Sequence, residues 1–374
     1  MKIAVNTRFL IKDRLEGVGW FTYETLKRIT QQHPEHEFHF LFDRPFSDEF
    51  IFAENVIPHV LTPPARHPIL WYIWFEISVT NALKKINPDV FLSTDGHISL
   101  KTKVKTVDVI HDLAFESHPK SVPPLVRRYY KHFFPLFAKR SHRIATVSQA
   151  SKKDISERYG ISPEVIDVVY NGRNESYEPV DQSVKDYVKA TYTDGKDYLL
   201  FIGGLHARKN VSRLMQGFDL FKEKSGSEMK LLIVGRKDWA EDDFWDKYKK
   251  LKFKDDVIFA GGIYDPEKLK GVLGSAFAMT YISYFEGFGI PIVEAMYCDV
   301  PVITSNVSCM PEVAGDAAIL VDPFSVESIA DGLSEIVDNE ELRNDLVKKG
   351  QIQREKFSWD KTANKLWECL IKDV

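Results

Sequence analysis

The chain has 374 residues, 44% hydrophobic, 28% charged and 13% aromatic. That composition builds about two or three cored domains and excludes a small disulfide module or a disordered chain. The net charge of -4 hides an asymmetry, because residues 1–176 carry 24 Lys and Arg against 20 Asp and Glu while the rest carry 26 against 34. The acidic second half disfavours nucleic acid, and the basic first half suits an anionic partner such as phospholipid or a lipid-linked phosphate, or reflects uneven surface charge. Cys298, Cys309 and Cys369 have no paired spacing, which leaves no disulfide framework or cysteine-rich zinc site and fits a reducing, cytoplasmic compartment.

In chain order, residues 3–6 form an apolar run suited to a first β-strand, without the features of a secretory signal. Glu16-Gly17-Val18-Gly19-Trp20 then opens a helix running through Tyr23 and Leu26. A lone Gly-x-Gly is a weak dinucleotide signal, and a plain loop-to-helix turn explains it as well. Further strands are predicted at Glu37–Phe42, Val90–Ser93, 104–110 and 143–147, and the aromatic run at 70–75 reads first as core packing. The strand at 104–110 brings His111 and Asp112 to its carboxyl end, where α/β sheets gather ligands; a satisfied core histidine is the competing reading. Residues 124–143 mix Arg127, Arg128, Lys131, Lys139 and Arg140 with aromatic residues, on a helix predicted to run from Pro124 to Arg140. Either that segment meets an anionic membrane surface, or its aromatics are core and its cations cover them.

Turn-forming residues cluster at 171–179, which places a domain join near Ser176. Beyond it, strands are predicted at 198–203, Lys230–Val234, 257–260, 276–282, 301–304 and 317–321, with a helix at 211–224. Short apolar runs alternating with helix-length segments in both halves indicate two doubly wound α/β domains, with ligands in the cleft at the strand ends. Arg208 and Lys209 precede a helix for which Asn210 reads as the N-cap. Each cation there costs about 0.3–1 kcal/mol against the helix dipole unless an anion such as a diphosphate is bound or the side chain is solvated. Between Tyr281 and Met296 a strand leads into a glycine loop, and Pro291 reads as the first helical residue. That arrangement crowds the amides of Gly287, Phe288 and Gly289 at a helix N-terminus, with Glu294 in the first turn beside the loop carrying Glu286. The competing readings are a dipole-stabilising Glu294 and a solvated Glu286. No Asp-x-Asp, P-loop or Gly-x-Ser-x-Gly occurs, so charge on a leaving phosphate falls to Arg208, Lys209 and helix N-termini, with no metal.

Together these segments resemble retaining glycosyltransferases of family 4, over nearly the whole chain. The most specific mark is Glu286 and Glu294 within E-G-F-G-I-P-I-V-E-A-M, accompanied in order by Gly17-Val18-Gly19, His111-Asp112, Thr146-Val147-Ser148, Asn171-Gly172 and Arg208-Lys209-Asn210. The resemblance implies the α/β GT-B fold: two Rossmann-like doubly wound domains with a cleft between them. Residues 1–176 form the acceptor side, 177–357 bind the nucleotide-sugar donor, and a last helix at 358–374 crosses back onto the first domain. It implies that Glu286 holds donor-sugar hydroxyls, Glu294 the ribose, and the amides of Gly287, Phe288 and Gly289 the sugar and phosphates. Arg208 and Lys209 take the diphosphate, His111 contacts the sugar near its anomeric carbon, the loop of Gly17 and Gly19 closes over it, and Gly262 and Ile263 hold the base. Gly204 departs from the pattern, since many relatives carry Arg there, and Arg208 is the candidate substitute. The pattern lies nearest bacterial mannosyltransferase-like members that build surface polysaccharides. It implies hexose transfer from GDP-mannose first, or a UDP-hexose second, to a saccharide or lipid-linked acceptor at the inner face of the membrane, without metal or cofactor. A catalytically silent nucleotide-sugar-binding subunit and a GT-B epimerase are the alternatives.

Overall fold

The computed structural model describes residues 1–119, 122–236 and 243–372. It divides into two compact units, one of Met1–Gly172 with Ser358–Val374 and one of Arg173–Phe357. The sequence-based join near Ser176 falls just after this division, and residues 373–374 of the predicted last helix lie outside the described residues.

The first unit is built on a parallel sheet ordered β3-β2-β1-β4-β5-β6-β7. Its strands are β1 (Lys2–Asn6), β2 (Glu37–Phe42), β3 (Val56–Val60), β4 (Val90–Ser93), β5 (Lys105–Val109), β6 (Arg143–Thr146) and β7 (Ile166–Val168). β1 lies between β2 and β4, with Ile3 opposite Phe38 on one side and Val90 on the other, and Ile3, Ala4 and Val5 are wholly buried. Burial on both faces is why the central strand β1 reads as an apolar run. The sequence reading lacked β3, because Pro58 interrupts its pattern; the strand sits at the sheet edge, where a missing N–H is tolerated. In the aromatic run, Trp74 and Phe75 are fully buried, but Tyr72 is 41% exposed. Within the helix Pro124–Arg140, Tyr129, Phe134 and Phe137 are core residues. The last helix, Trp359–Ile371, packs on Val18–Gln32 through Trp359 against Phe21 and Arg28 against Asp360 at 2.6 Å.

The second unit repeats the plan with a parallel sheet ordered β10-β9-β8-β11-β12-β13. Its strands are β8 (Tyr198–Ile202), β9 (Lys230–Val234), β10 (Val257–Gly261), β11 (Ala278–Tyr281), β12 (Val302–Ser305) and β13 (Ala318–Val321). The chain order reverses between β1 and β4 in one sheet and between β8 and β11 in the other. Loops leaving the carboxyl ends of strands at such a switch diverge and leave room for a ligand.

Candidate donor site

In the second unit the switch is formed by the loops after β8 and β11. The first leads through Gly203 and Gly204 to a single turn at Ala207–Lys209, and the second carries residues 282–289. They join directly: the Tyr284 N–H donates to the Arg208 carbonyl at 2.8 Å, and the Arg208 guanidinium donates to the Phe285 carbonyl at 3.1 Å. Asn210 does not cap the helix Val211–Ser225 with its side chain, as its position suggested. Its backbone is left-handed, φ 59°, and its amide instead donates to the carbonyls of Ile282 at 3.1 Å and Pro323 at 2.8 Å. A side chain turned to stitch two loops cannot also bend back to its own helix.

Glu286 is not a solvated loop carboxylate, because it is 6% exposed and lies between two cations. Its Oε2 is 2.5 Å from Arg208 and its Oε1 2.6 Å from Lys209, whose ammonium also donates to the Tyr281 hydroxyl. Burial pushes the Glu286 carboxyl up, but Lys209 and then Arg208 outweigh it and hold it at about 2. Burial likewise pushes Lys209 down, opposed by Glu286. The cations beside the helix start are therefore neither solvated nor uncompensated, because the chain itself supplies the anion. His206 stands beside them, pushed down to about 4 by burial, Arg208 and Lys209.

Past this cluster Gly287, Phe288 and Gly289 are buried and lead into the helix Ile290–Tyr297. Gly289 takes φ 95°, a conformation that suits glycine, and neither a side-chain cap nor an acid occupies the helix's first turn. The helix starts at Ile290, so Pro291 is its second residue rather than its first, still among the amides that need no internal partner. Glu294 is accordingly fifth and belongs to the second turn, not the first. It is half-buried, near Tyr177 and Cys298, and burial alone pushes its carboxyl up to about 7. Gly262 and Ile263 follow β10 at the other side of the switch, Gly262 exposed and Ile263 half-buried.

In the first unit the loops leaving β1, β4 and β5 bring a second group together. Gly17 is the residue before the helix Val18–Gln32, and a side chain at Gly19 would bring its Cβ to 3.0 Å from the Phe9 carbonyl. His111, just past β5, packs its ring edge-on to Phe21 with centroids 4.9 Å apart. Its Nε2–H donates to the Thr94 carbonyl at 2.9 Å, which leaves Nδ1 as the acceptor nitrogen of a neutral ring, and burial pushes its pKa down. Thr94 also accepts from Thr22 at 2.8 Å, so one residue ties His111 to the helix that starts after Gly17 and holds Gly19 in its first turn rather than in a loop. Asp112 accepts from the Ala114 N–H at 2.9 Å. Sequence reasoning missed the buried Arg8, Asp95 and His97 that brace the β1 and β4 ends, and in the second unit Tyr281, Ser308 and Cys309. Only their sum across distant segments marks them.

The family model for glycosyltransferase family 4 matches residues 15–177, and that for glycosyl transferases group 1 matches residues 185–353. O-antigen chain mannosyltransferase B of Escherichia coli is 26% identical over 371 residues, covering 96% of this chain and 97% of its own length. O-antigen chain mannosyltransferase RfbU of Salmonella typhimurium is 27% identical over 274 residues, 73% of this chain and 72% of its own. Among solved structures, Anabaena HepE in complex with UDP-glucose superposes with a TM-score of 0.75 at 15% identity over the full length of both chains. Both halves of the chain thus match glycosyltransferase families, and its two Rossmann-like units are those of the GT-B fold.

Proposed function

We propose that the chain transfers a hexose, mannose first, from a nucleotide diphosphate sugar to a hydroxyl of a saccharide or lipid-linked acceptor, retaining the anomeric configuration, in surface polysaccharide synthesis. The observation that carries this reading is the Arg208, Glu286 and Lys209 cluster at the β8/β11 switch. Two O-antigen mannosyltransferase relatives favour GDP-mannose over a UDP-hexose. The diphosphate displaces Glu286 as the anion held by Arg208 and Lys209, with the positive end of Ile290–Tyr297 beside it. Freed of its cations, the Glu286 carboxylate accepts from donor-sugar hydroxyls. Glu294 accepts from the ribose, and Gly262 and Ile263 hold the base. The main chain of Gly287, Phe288 and Gly289 lines the sugar and phosphates. From the first unit, His111 and the turn of Gly17 and Gly19 are assigned to the donor sugar.

The glycosyl C1–O bond to phosphate breaks as the acceptor oxygen bonds C1 from the same face, and the acceptor proton passes to the departing phosphate oxygen. No carboxylate is assigned beneath the ring, so no covalent glycosyl-enzyme forms. Charge on the departing phosphate is met by fixed cations, without a metal or other cofactor.

Labelled GDP-mannose, UDP-glucose and ADP-glucose, incubated with acceptor, test the reading. One donor is expected to give a product of retained configuration at a rate unchanged by EDTA. Nucleotide binding without transfer or hydrolysis would support the silent subunit, sugar interconversion the epimerase, and a trapped glycosyl-enzyme a double displacement. Among the described residues no helix is long and apolar enough to cross a membrane. The proposed site of action is the cytoplasmic face of the membrane, with contact through residues 124–143, which carry no acid and expose Leu125 and Leu136 beside Arg128 and Lys139. Co-sedimentation with phosphatidylglycerol vesicles at low salt checks this, and its absence removes the membrane from the proposal.

A further inference from the structure

Besides Arg208, two residues that follow β12 grip the segment that carries Glu286. Ser308 adopts a left-handed backbone, φ 59°, uncommon for a serine. Its hydroxyl accepts from the Glu286 N–H at 3.3 Å and donates to the Glu286 carbonyl at 2.9 Å. Cys309, wholly buried, directs its thiol to the same carbonyl at 3.1 Å and to the Phe288 carbonyl at 3.1 Å. Both main-chain polar groups of Glu286 are thus held by one side chain, and the next residue spans the glycine between Glu286 and Phe288.

This grip has a use that the ion pairs cannot serve. While Arg208 and Lys209 hold the carboxylate, its direction is set by them. Once a diphosphate competes for those cations, the carboxylate depends on its main chain for direction. We infer that Ser308 and Cys309 are positioning residues for sugar transfer, acting through Glu286 and Phe288 without touching the donor. The inference rests on the proposed role of Glu286.

Ser308→Gly separates the grip from the turn, because glycine keeps the left-handed backbone and loses only the hydroxymethyl group that makes the two hydrogen bonds. The expected result is a kcat lowered about tenfold, with the melting temperature and the Kd for free GDP or UDP unchanged. Cys309→Ala should lower kcat severalfold, and Cys309→Ser, which keeps a donor, should restore most of it. A Ser308→Gly enzyme with parent kcat, when Glu286→Ala is inactive, overturns the inference. So does a joint loss of melting temperature and nucleotide binding, which marks a merely structural role. Parent activity in Glu286→Ala would instead overturn the reading of the donor site beneath it.

Discussion

Glu286 and Glu294 stand eight residues apart in sequence and are driven in opposite directions. Glu286 is buried between Lys209 and Arg208 and is held at about 2. Glu294, on the following helix, has no hydrogen bond or ion pair to its carboxylate among the described residues, and burial pushes it up to about 7. Burial raises both; partners decide which one stays ionised. In the proposed donor complex the fully paired carboxylate exchanges partners, whereas the unpartnered, half-buried one has hydrogen-bonding capacity to offer a ligand.

The sharpest way to break this contrast is to remove the paired member. Glu286→Ala is expected to lower kcat on the order of 10²-fold, and Lys209→Ala should do the same by leaving the leaving phosphate with less positive charge. Stability separates the two effects. Breaking a buried pair from one side leaves an uncompensated charge, typically at about 3–5 kcal/mol, so Glu286→Ala should also melt earlier. Kinetics normalised to folded protein and a melting curve check both. A near-parent kcat in either variant would remove that residue from the transfer step.

The contrast also shows what a sequence can and cannot display. β2, β4 and β9 match their predicted bounds because strands buried on both faces of a parallel sheet need continuous apolar side chains. The loops were legible for a related reason, since glycines, a proline and two cations beside helix starts are local requirements of backbone and dipole. What remained hidden is non-local. Arg208 reaches Glu286 across 78 positions, and Ser308 grips the Glu286 main chain across 22, a contact that leaves no mark on residue pattern at either end. Asn210 misled for the same reason: its type suits a cap, but two distant carbonyls, of Ile282 and Pro323, claimed its amide. Glu294 was misplaced by one helical position because Pro291 tolerates the second position as well as the first.

The unpartnered carboxylate makes a smaller but more specific prediction. If ribose hydroxyls donate to Glu294, donor binding favours its ionised form and must draw off the proton that the empty site holds below about 7. Donor affinity should then be constant above that pH and fall by about tenfold per unit beneath it, the slope of one linked proton. Intact nucleotide sugar is the probe to use, because a diphosphate esterified at both ends does not itself titrate in this range. In the empty site of the same unit His206 is pushed down to about 4 and Glu286 is held at about 2, so neither changes its own charge there between pH 5 and 8. His111, in the other unit, is also pushed down by burial. Calorimetric Kd values across that range are expected to show the slope in the parent and a flat line in Glu294→Gln, whose amide still meets a hydroxyl but binds no proton. A slope that survives in Glu294→Gln would assign the titration to another group and leave Glu294 outside the ribose site.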